Sequence, residues 1–330
     1  MNRDWCNGFR YDGGARGHYE SYFQRANHPT RPLAFWIRYT AFVPKGRAGD
    51  AVGELWAIWF DGEAKKVSAV KQVVPWASCR FDPRSLSATV GDATLDAAKL
   101  TGSASSNGRA IAWTLGYESP SAPLLLLPEG LYSAPFPSAK ALVGSPLAVF
   151  DGELRVDDEA HAIESWVGSQ NHNWGSRHTD EYAWGQVAGF DDAPESFLEV
   201  TTARVKLGPV RSPWMTLLVL RHGGEEFALN AVGTALRAEG RFELFAWSFA
   251  SQQGDVSIEG RIEAPHELFV GLPYDNPPGG RKTCLNTKLA RCTLTLRRPG
   301  RDPVVLSTRH RAAFEILTDR DDHRVPVLGV

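Results

Sequence analysis

Short β-type runs separated by turn residues follow one another along the whole chain of 330 residues. Runs such as residues 33–43, 53–60 and 214–221 are rich in Val, Thr or aromatic side chains and are bounded by Gly, Pro and Asp. No stretch keeps a helical period over three turns, and only the region around residues 95–100 shows one weakly. Many short strands at even spacing are typical of barrels and sandwiches, so the sequence predicts an all-β protein.

The length of the chain predicts two domains of about 150 residues each. Six prolines fall between residues 119 and 146, so this segment is either a linker or a long loop that caps a barrel mouth. Residues 55–60 read Leu-Trp-Ala-Ile-Trp-Phe and are apolar on both strand faces. Such a strand lines an interior on one side and is covered on the other, for example by a second domain.

Charge and hydropathy exclude several classes of partner. The formal net charge is −2 and no run of Lys or Arg forms a stripe, so we expect no nucleic-acid partner. The apolar runs, such as residues 124–127, are all far shorter than the ~20 residues of a membrane-spanning helix, so we expect no stable membrane insertion. The first 17 residues lack the apolar core of a signal peptide, and we expect a cytoplasmic location.

The cysteine and histidine spacings give no metal site. The four cysteines are widely spread without a C-x-x-C pair, so a zinc knuckle is not supported. Cys284 and Cys292 could meet across a hairpin, although reduced thiols are expected in the cytoplasm. His172 and His178 are spaced H-x5-H, which neither strand nor helix geometry presents as adjacent ligands. We therefore expect no metal.

The densest cluster of functional residue types lies at residues 170–186. In an extended strand His172 and Trp174 share one face, and Asn171 and Asn173 point the other way. An asparagine could orient the imidazole, which could then act as a general acid or base beside an aromatic wall. The alternative is a structural histidine with buried hydrogen-bond partners.

Two carboxylates lie in strands that are otherwise apolar or aromatic. Glu20 shares a face with Tyr22; pointing inward, its pKa would rise by desolvation, as suits a general acid. Pointing outward, it would instead pair with Arg25 or Arg38. Glu199 is either an interior functional carboxylate or part of the solvent face of a half-buried strand. Eleven tryptophans likewise serve either packing or an aromatic-walled cavity.

Several common catalytic motifs are missing from the sequence. It has no G-x-S-x-G, no P-loop and no H-E-x-x-H, and its glycines at 13, 14 and 17 do not form G-x-G-x-x-G after a strand. A nucleotide-dependent enzyme or a serine hydrolase is therefore not supported.

Three segments resemble the signature of the carotenoid 1,2-hydratase/AttH-like superfamily. They are residues 166–168 (Trp-Val-Gly), 172–175 (His-Asn-Trp-Gly) and 182–185 (Tyr-Ala-Trp-Gly). Residues 20–25 (Glu-Ser-Tyr-Phe-Gln-Arg) are similar to the opening of tocopherol cyclase-like relatives. The chain departs from the family at Asn171, where an Asp is common, and at 197–199 (Phe-Leu-Glu), where the hydratases have Tyr-x-Asp.

The resemblance implies two consecutive lipocalin-like antiparallel β-barrel domains, over residues 1–178 and 179–330, with the His-Trp motif near their junction. It also implies chemistry without cofactors on apolar polyene or isoprenoid-type substrates. We assign His172, Glu20 and Trp174 as catalytic candidates. The substrate-binding candidates are Tyr22, Trp36, Trp59, Asn171, Asn173, Tyr182, Trp184 and Glu199.

The function predicted on this basis is a cofactor-independent cyclase, isomerase or hydratase. His172 or Glu20 would protonate an apolar unsaturated isoprenoid or polyketide-type molecule, and aromatic rings would shield and stabilise the resulting cation. In a pericyclic reaction His172 would only polarise a carbonyl. The alternative is a carrier on the same scaffold that binds an apolar small molecule without catalysis, because fold does not determine function.

Overall fold

A computed structural model describes residues 3–328 of the chain. Strands account for 61% of the residues and helix for 7%, which confirms the all-β prediction. The weak helical period near residues 95–100 is a turn between two strands, since both flanking segments pair in the same antiparallel sheet.

The first large sheet is antiparallel and has twelve strands, in the order β4-β3-β2-β1-β12-β11-β9-β8-β7-β6-β5, with β10 against β11. In chain order they are β1 His18–Asn27, β2 Leu33–Val43, β3 Val52–Asp61, β4 Lys66–Pro75, β5 Cys79–Phe81, β6 Ser87–Val90, β7 Ala93–Asp96, β8 Lys99–Ser106, β9 Arg109–Glu118, β10 Leu124–Leu125, β11 Ala139–Val156 and β12 Glu159–Gly175.

The second large sheet has ten strands in the order β18-β17-β14-β13-β24-β23-β21-β20-β19, with β22 against β23, and β15 and β16 form a separate pair. In chain order the strands of this half are β13 Glu181–Ala188, β14 Phe197–Arg204, β15 Lys206–Leu207, β16 Val210–Arg211, β17 Met215–His222, β18 Glu225–Leu229, β19 Glu239–Glu243, β20 Ala246–Gln253, β21 Val256–Glu263, β22 Val270–Asp275, β23 Arg281–Arg297 and β24 Val304–Thr318.

Helices are short in the described part of the chain. The α-helices are α1 Arg3–Asn7 and α2 Val232–Arg237, and the 3-10 turns are Ala48–Asp50, Trp76–Ser78, Glu129–Tyr132 and His266–Leu268. None of the helices in residues 3–328 is long and apolar enough to cross a membrane.

Each sheet curls into a barrel in which the first strand pairs with the last, β1 with β12 and β13 with β24. In the first barrel the curl brings β4 to β8. The Lys71 amide donates to Ser106 Oγ, and the Ser105 amide donates to Gln72 Oε1. The two barrels match the lipocalin-like architecture that the resemblance implies.

Strand β3 explains how the two barrels meet. Leu55, Ala57 and Trp59 point into the core of the first barrel. Trp56 and Ile58, which alternate with them, join a second core shared with β22, β23 and β24 of the other barrel. The strand is apolar on both faces because each face is covered, as predicted from its sequence.

The first large sheet ends at Gly175 and the second begins at Glu181. The division at residue 178 stays a prediction, and it falls between the two. The proline-rich segment 119–146 lies within the first half, where Leu124 and Leu126 pack against Phe197 and Val219 of the second sheet. The segment is therefore neither a free linker nor one long loop: it contains β10 and the start of β11, and its leucines pack between the barrels.

The hairpin expected to bring two cysteines together does not exist. Cys284 and Cys292 both lie on β23 and both are free thiols. They are buried in different cores: Cys284 is between the barrels and Cys292 inside the second.

Candidate functional site

The first group of candidate residues lies at the end of the first barrel where β1 begins and β12 ends. We call it the mouth cluster: His18, Glu20, Tyr22 and His172. Tyr22 pairs with His172 in the β1–β12 register, so the rings stack with centroids 4.4 Å apart. The inward orientation of Glu20 and Tyr22 is confirmed, and the outward pairing of Glu20 with Arg25 or Arg38 is wrong.

Hydrogen bonds saturate the Glu20 carboxylate. It accepts from Nε2 of His172 and of His18, each at 2.7 Å, and from the backbone amide of Arg10 at 2.9 and 3.0 Å. Burial raises the pKa of this carboxyl, but the hydrogen bonds from His172 and His18 outweigh burial and hold the pKa below its usual range. The rise expected from desolvation alone is therefore wrong, because the sequence did not reveal these donors.

Backbone oxygen, rather than asparagine, orients His172. Its Nδ1 lies 2.7 Å from the carbonyl oxygen of Cys6, and its Nε2 faces Glu20. Both ring nitrogens therefore face oxygen atoms, and with an ionised Glu20 they serve both only if each carries a proton. Asn171 points the other way, as strand alternation requires, and its amide donates to Ser169 Oγ at 2.8 Å.

The N-terminal segment closes the mouth cluster. Cys6 and Asn7, at the end of α1, are buried. Phe9 stacks on Phe81 with centroids 4.7 Å apart, which carries the Arg10 amide over Glu20. His172 is 1% exposed and Glu20 is 0% exposed, so the N-terminal segment covers both groups.

Trp174 lies beside this cluster. Its ring is 4.6 Å from that of His172, as the shared strand face predicts, and it packs with Cys6, Tyr132 and Leu142. The next residue, Gly175, must be glycine because a Cβ there would overlap the carbonyl oxygen of Ser138.

A second group lies between the two barrels. We call it the junction cluster: Arg25, Trp36, Arg38, Asn171, Tyr182, Trp184, Gln186, Glu199, Tyr274, Cys284, Lys288 and Glu315. Its residues come from β1, β2 and β12 of the first sheet and from β13, β14, β22, β23 and β24 of the second.

Glu199 is the carboxyl at the centre of one half of this cluster. It pairs with Gln186 across β13 and β14 and is only 2% exposed, so the solvent-facing interpretation is wrong. Its Oε1 accepts from Trp184 Nε1 at 2.7 Å, and its Oε2 accepts from Gln186 Nε2 at 2.8 Å. Burial raises the pKa of Glu199 to about 7, although these hydrogen bonds and the charge of Arg25 oppose the rise.

A hydrogen-bond network ties Glu199 to the first barrel. Gln186 Nε2 also donates to Asn171 Oδ1 at 2.8 Å, and Arg25 Nε donates to Gln186 Oε1 at 2.8 Å. Arg25 is fully buried and further donates to Asn27 Oδ1 and to backbone carbonyls of the second barrel. The network fixes the two barrels relative to each other around one titratable carboxyl.

The other half of the junction holds a buried ion pair. Lys288 Nζ lies 2.8 Å from Glu315 Oε1, and burial lowers the pKa of Lys288. The ammonium also lies 5.7 Å from the Trp36 ring centroid and 5.4 Å from that of Trp184. The Lys288 ammonium therefore makes cation–π contacts with both tryptophan rings.

The junction keeps accessible space. Tyr182 and Trp184 face the first barrel yet are only partly buried, and so is His178. Burial nevertheless raises the pKa of Tyr182 well above its usual range and lowers that of His178 to about 3. These side chains are thus strongly desolvated but keep some accessible surface.

The structure thus divides the sequence candidates among three places. His172, Glu20 and Tyr22 meet in the mouth cluster, with Trp174 beside them. Trp36, Asn171, Tyr182, Trp184 and Glu199 meet at the junction. Trp59 lies apart, in the core of the first barrel, stacked on His161 and near Trp166. A pocket lined by Trp174 and at least one of Tyr22, Trp36 and Trp59 stays a prediction; of these three, Tyr22 lies nearest to Trp174, since both rings contact His172.

Asn173 is partly buried on β12, and its Oδ1 is a buried atom without a hydrogen-bond partner. The sequence analysis missed Arg25, Arg38, Gln186, Lys288 and Glu315. Each is a charged or amide side chain within a strand, but β1 and β23 hold several polar residues, so only Arg38, Gln186 and Glu315 stand out from mainly apolar neighbours as Glu199 does. Within residues 3–328, no group of three or more His, Cys, Asp or Glu side chains is arranged to hold a metal ion.

No protein-family model matches the chain. Two curated relatives do, the uncharacterised proteins MT0513 and Rv0493c from two strains of Mycobacterium tuberculosis. Each is 27% identical over 305 residues, covering 90% of this chain and 86% of the relative. The similarity to these two proteins therefore runs over nearly the whole chain.

Solved structures of the same architecture include an AttH protein (NE1406) from Nitrosomonas europaea, with a TM-score of 0.56 at 13% identity, covering 92% of this chain and 91% of that one. Kievitone hydratase from Nectria haematococca gives a TM-score of 0.59 at 12% identity, covering 92% and 89%. CghA with Sch210972 gives 0.56 at 11%, covering 92% and 88%. At these identities the likeness shows the fold, and it confirms the AttH-like resemblance at that level.

Proposed function

We propose that this protein catalyses proton-assisted hydration or cyclisation of an apolar unsaturated small molecule at the junction between its barrels, with Glu199 as the proton donor. The observation that carries the proposal is the Glu199 carboxyl itself. It is enclosed by both barrels, its pKa is about 7, and it lies against the indole of Trp184. A carboxyl that is half protonated near neutral pH is suited to give and take a proton.

The fold relatives support this chemistry without specifying it. Kievitone hydratase is by its name a hydratase, and it shares this two-barrel fold. Glu199 also occupies the segment 197–199 that sequence analysis aligned with the Tyr-x-Asp of the hydratases. Glutamate there keeps the carboxyl of the pattern, and Phe197 lacks its hydroxyl.

The proposed cycle balances without another reactant. Neutral Glu199 gives its proton to a C=C carbon, and the cationic centre lies against Trp184, whose π face stabilises it. In hydration, water adds to that centre and its surplus proton returns to the Glu199 carboxylate. In ring closure, a hydroxyl or alkene of the same molecule adds instead, and the proton it loses returns to Glu199.

Deuterium incorporation tests this step without a known substrate. The purified protein is incubated in D2O with an apolar metabolite extract of its source organism, and products are analysed by mass spectrometry. A new product with one carbon-bound deuterium is expected from the native protein. Glu199→Gln is expected to lose it, while Glu153→Gln, a control at an exposed glutamate, keeps it.

The results separate the candidate donors. Undiminished deuteration by a folded Glu199→Gln protein would remove Glu199 as the donor. The sequence-based candidates His172 and Glu20 are then next, and their action requires the segment over the mouth cluster to move. His172→Gln, in which hydrogen bonding is partly kept and proton transfer is lost, tests that second candidate.

Binding without catalysis is the second candidate function. The aromatic and largely buried character of the junction suits a carrier as well as an enzyme. Solvent extraction of the purified protein distinguishes them. An apolar molecule that co-purifies and returns chemically unchanged after incubation in D2O favours the carrier.

A further inference from the structure

We propose that the junction binds the planar oxyanion of its apolar ligand, a carboxylate or enolate, on Arg38 beside Trp36. This rests on the proposed function, since it concerns the same site, and it names the substrate class: an apolar acid rather than a neutral hydrocarbon. The observation is a buried arginine with an unused hydrogen-bond donor between the barrels.

Arg38 is 4% exposed, and in the described chain its guanidinium has no carboxylate within salt-bridge distance. Its Nη2 donates to Ser21 Oγ at 2.6 Å, but the buried Nε has no partner. The buried Nε1 of Trp36 has none either. A buried guanidinium with an unmet donor is costly unless an anion completes it.

The carboxylates nearest to Arg38 are engaged elsewhere. Glu54 pairs with Lys71 Nζ at 2.8 Å and accepts from Trp56 Nε1 at 3.0 Å. Glu315 pairs with Lys288. Each of these carboxylates pairs with its own lysine, so neither forms an ion pair with Arg38; their attraction acts on Arg38 from farther away and leaves its Nε donor unmet.

The geometry around Arg38 suits a flat anionic head on an apolar body. Arg38 and Trp36 lie two residues apart on one face of β2, so one planar oxyanion can accept from both free N–H groups. The guanidinium lies 4.6 Å from the centroid of the Tyr274 ring and 5.9 Å from that of Trp36. Tyr182 and Trp184, which retain accessible surface, continue the same face of the junction.

The test uses two fluorescent probes that differ only in charge, cis-parinaric acid and its methyl ester, titrated into the full chain at pH 8. The native protein is expected to bind the acid at least about 10-fold more tightly than the ester, the usual worth of a charge-assisted hydrogen bond. Arg38→Gln is expected to abolish this preference. Arg38→Lys should keep part of it, because lysine keeps the charge but loses the planar fork.

Arg155→Gln, at an exposed arginine, is the control and should leave the preference intact. Equal binding of acid and ester by the native protein overturns the anion site but leaves the proposed junction pocket standing. Absence of binding by either probe overturns both. A full acid preference in Arg38→Gln removes Arg38; if that variant does not fold, a full acid preference in Arg38→Lys overturns the planar contact with the guanidinium.

Discussion

The mouth cluster and the junction cluster each bury a glutamate beside aromatic rings, but they treat its charge in opposite ways. Glu20 accepts from two imidazoles and an amide, and its pKa is held low. Glu199 accepts from two neutral donors, an indole and a carboxamide, and its pKa rises to about 7. Burial is common to both, so the donors decide whether a buried carboxyl is a fixed charge or a usable acid.

These differences suit the mouth cluster and the junction cluster to different roles. In the mouth cluster, hydrogen bonds engage both carboxylate oxygens of Glu20 and both ring nitrogens of His172. The N-terminal segment covers these groups. The junction cluster retains accessible surface, an acid that titrates near neutrality and unpartnered donors. Four predictions test this division.

The largest expected effect is on turnover. Glu199→Gln should lower the rate of product formation by about 10²–10⁴, the usual contribution of a general acid. Glu20→Gln should lower activity only in proportion to the unfolded fraction, because Glu20 touches no substrate. Turnover and thermal melts on both variants decide this, and the reverse ranking would exchange the roles of the two clusters.

The next effect is on stability at the mouth. His172→Ala should cost about 3–5 kcal/mol of unfolding free energy, because it leaves the buried Glu20 carboxylate and the Cys6 carbonyl without a major partner. Urea denaturation at neutral pH measures it, with His266→Ala, at an exposed histidine, as the control. A loss below about 1 kcal/mol, with activity abolished, would return His172 to the catalytic role that the sequence suggested.

The pH dependence of stability tests whether Glu199 in the junction cluster titrates near neutral pH. The folded pKa of Glu199 is raised from 4.5 to about 7, so its neutral form stabilises the fold below pH 4.5 and this contribution is lost as pH rises towards 7. Between pH 5 and pH 8 the native protein should lose about 2–3 kcal/mol from this group. In Glu199→Gln that loss should be absent. Parallel pH profiles of the two proteins would show that Glu199 does not titrate in this range.

The smallest effect concerns Tyr22. Its hydroxyl donates to Glu20 over 3.4 Å, while the ring stacks on His172. Tyr22→Phe keeps the ring, so it should cost less than about 1 kcal/mol. A cost above about 2 kcal/mol in urea denaturation would mean that the phenol, rather than the histidines, holds the Glu20 charge in place.

Strand alternation made the shared faces within the two clusters predictable from the sequence. It placed Glu20 with Tyr22 and His172 with Trp174 on shared faces, and the two-sided apolar pattern of residues 55–60 predicted a covered strand between domains. The hydrogen-bond partners of these side chains could not be predicted in the same way. Cys6 reaches His172 from 166 residues away and Arg25 reaches Gln186 from 161, so these contacts depend on how the barrels close and dock.

The same limit explains the errors on Glu199 and Asn171. The sequence pattern of a single charged residue in an apolar strand is the same whether its face meets water or another barrel. The two-residue period of a strand predicts which face a side chain is on, but not what covers that face. Asn171 was placed on the correct face, opposite His172. That face belongs to the junction, where Asn171 accepts from Gln186 instead of orienting the imidazole.

Because the first strand of each barrel pairs with the last, a barrel can close only after its last strand has been synthesised. β1 pairs with β12, and Tyr22 meets His172 only after about 150 further residues have been made, which takes on the order of 10–30 s on a ribosome. Throughout that interval the edge of β1 that β12 will cover is an open strand edge, the kind that pairs with other chains. Slower growth at low temperature, or chaperones that shield β1, should therefore raise the soluble yield.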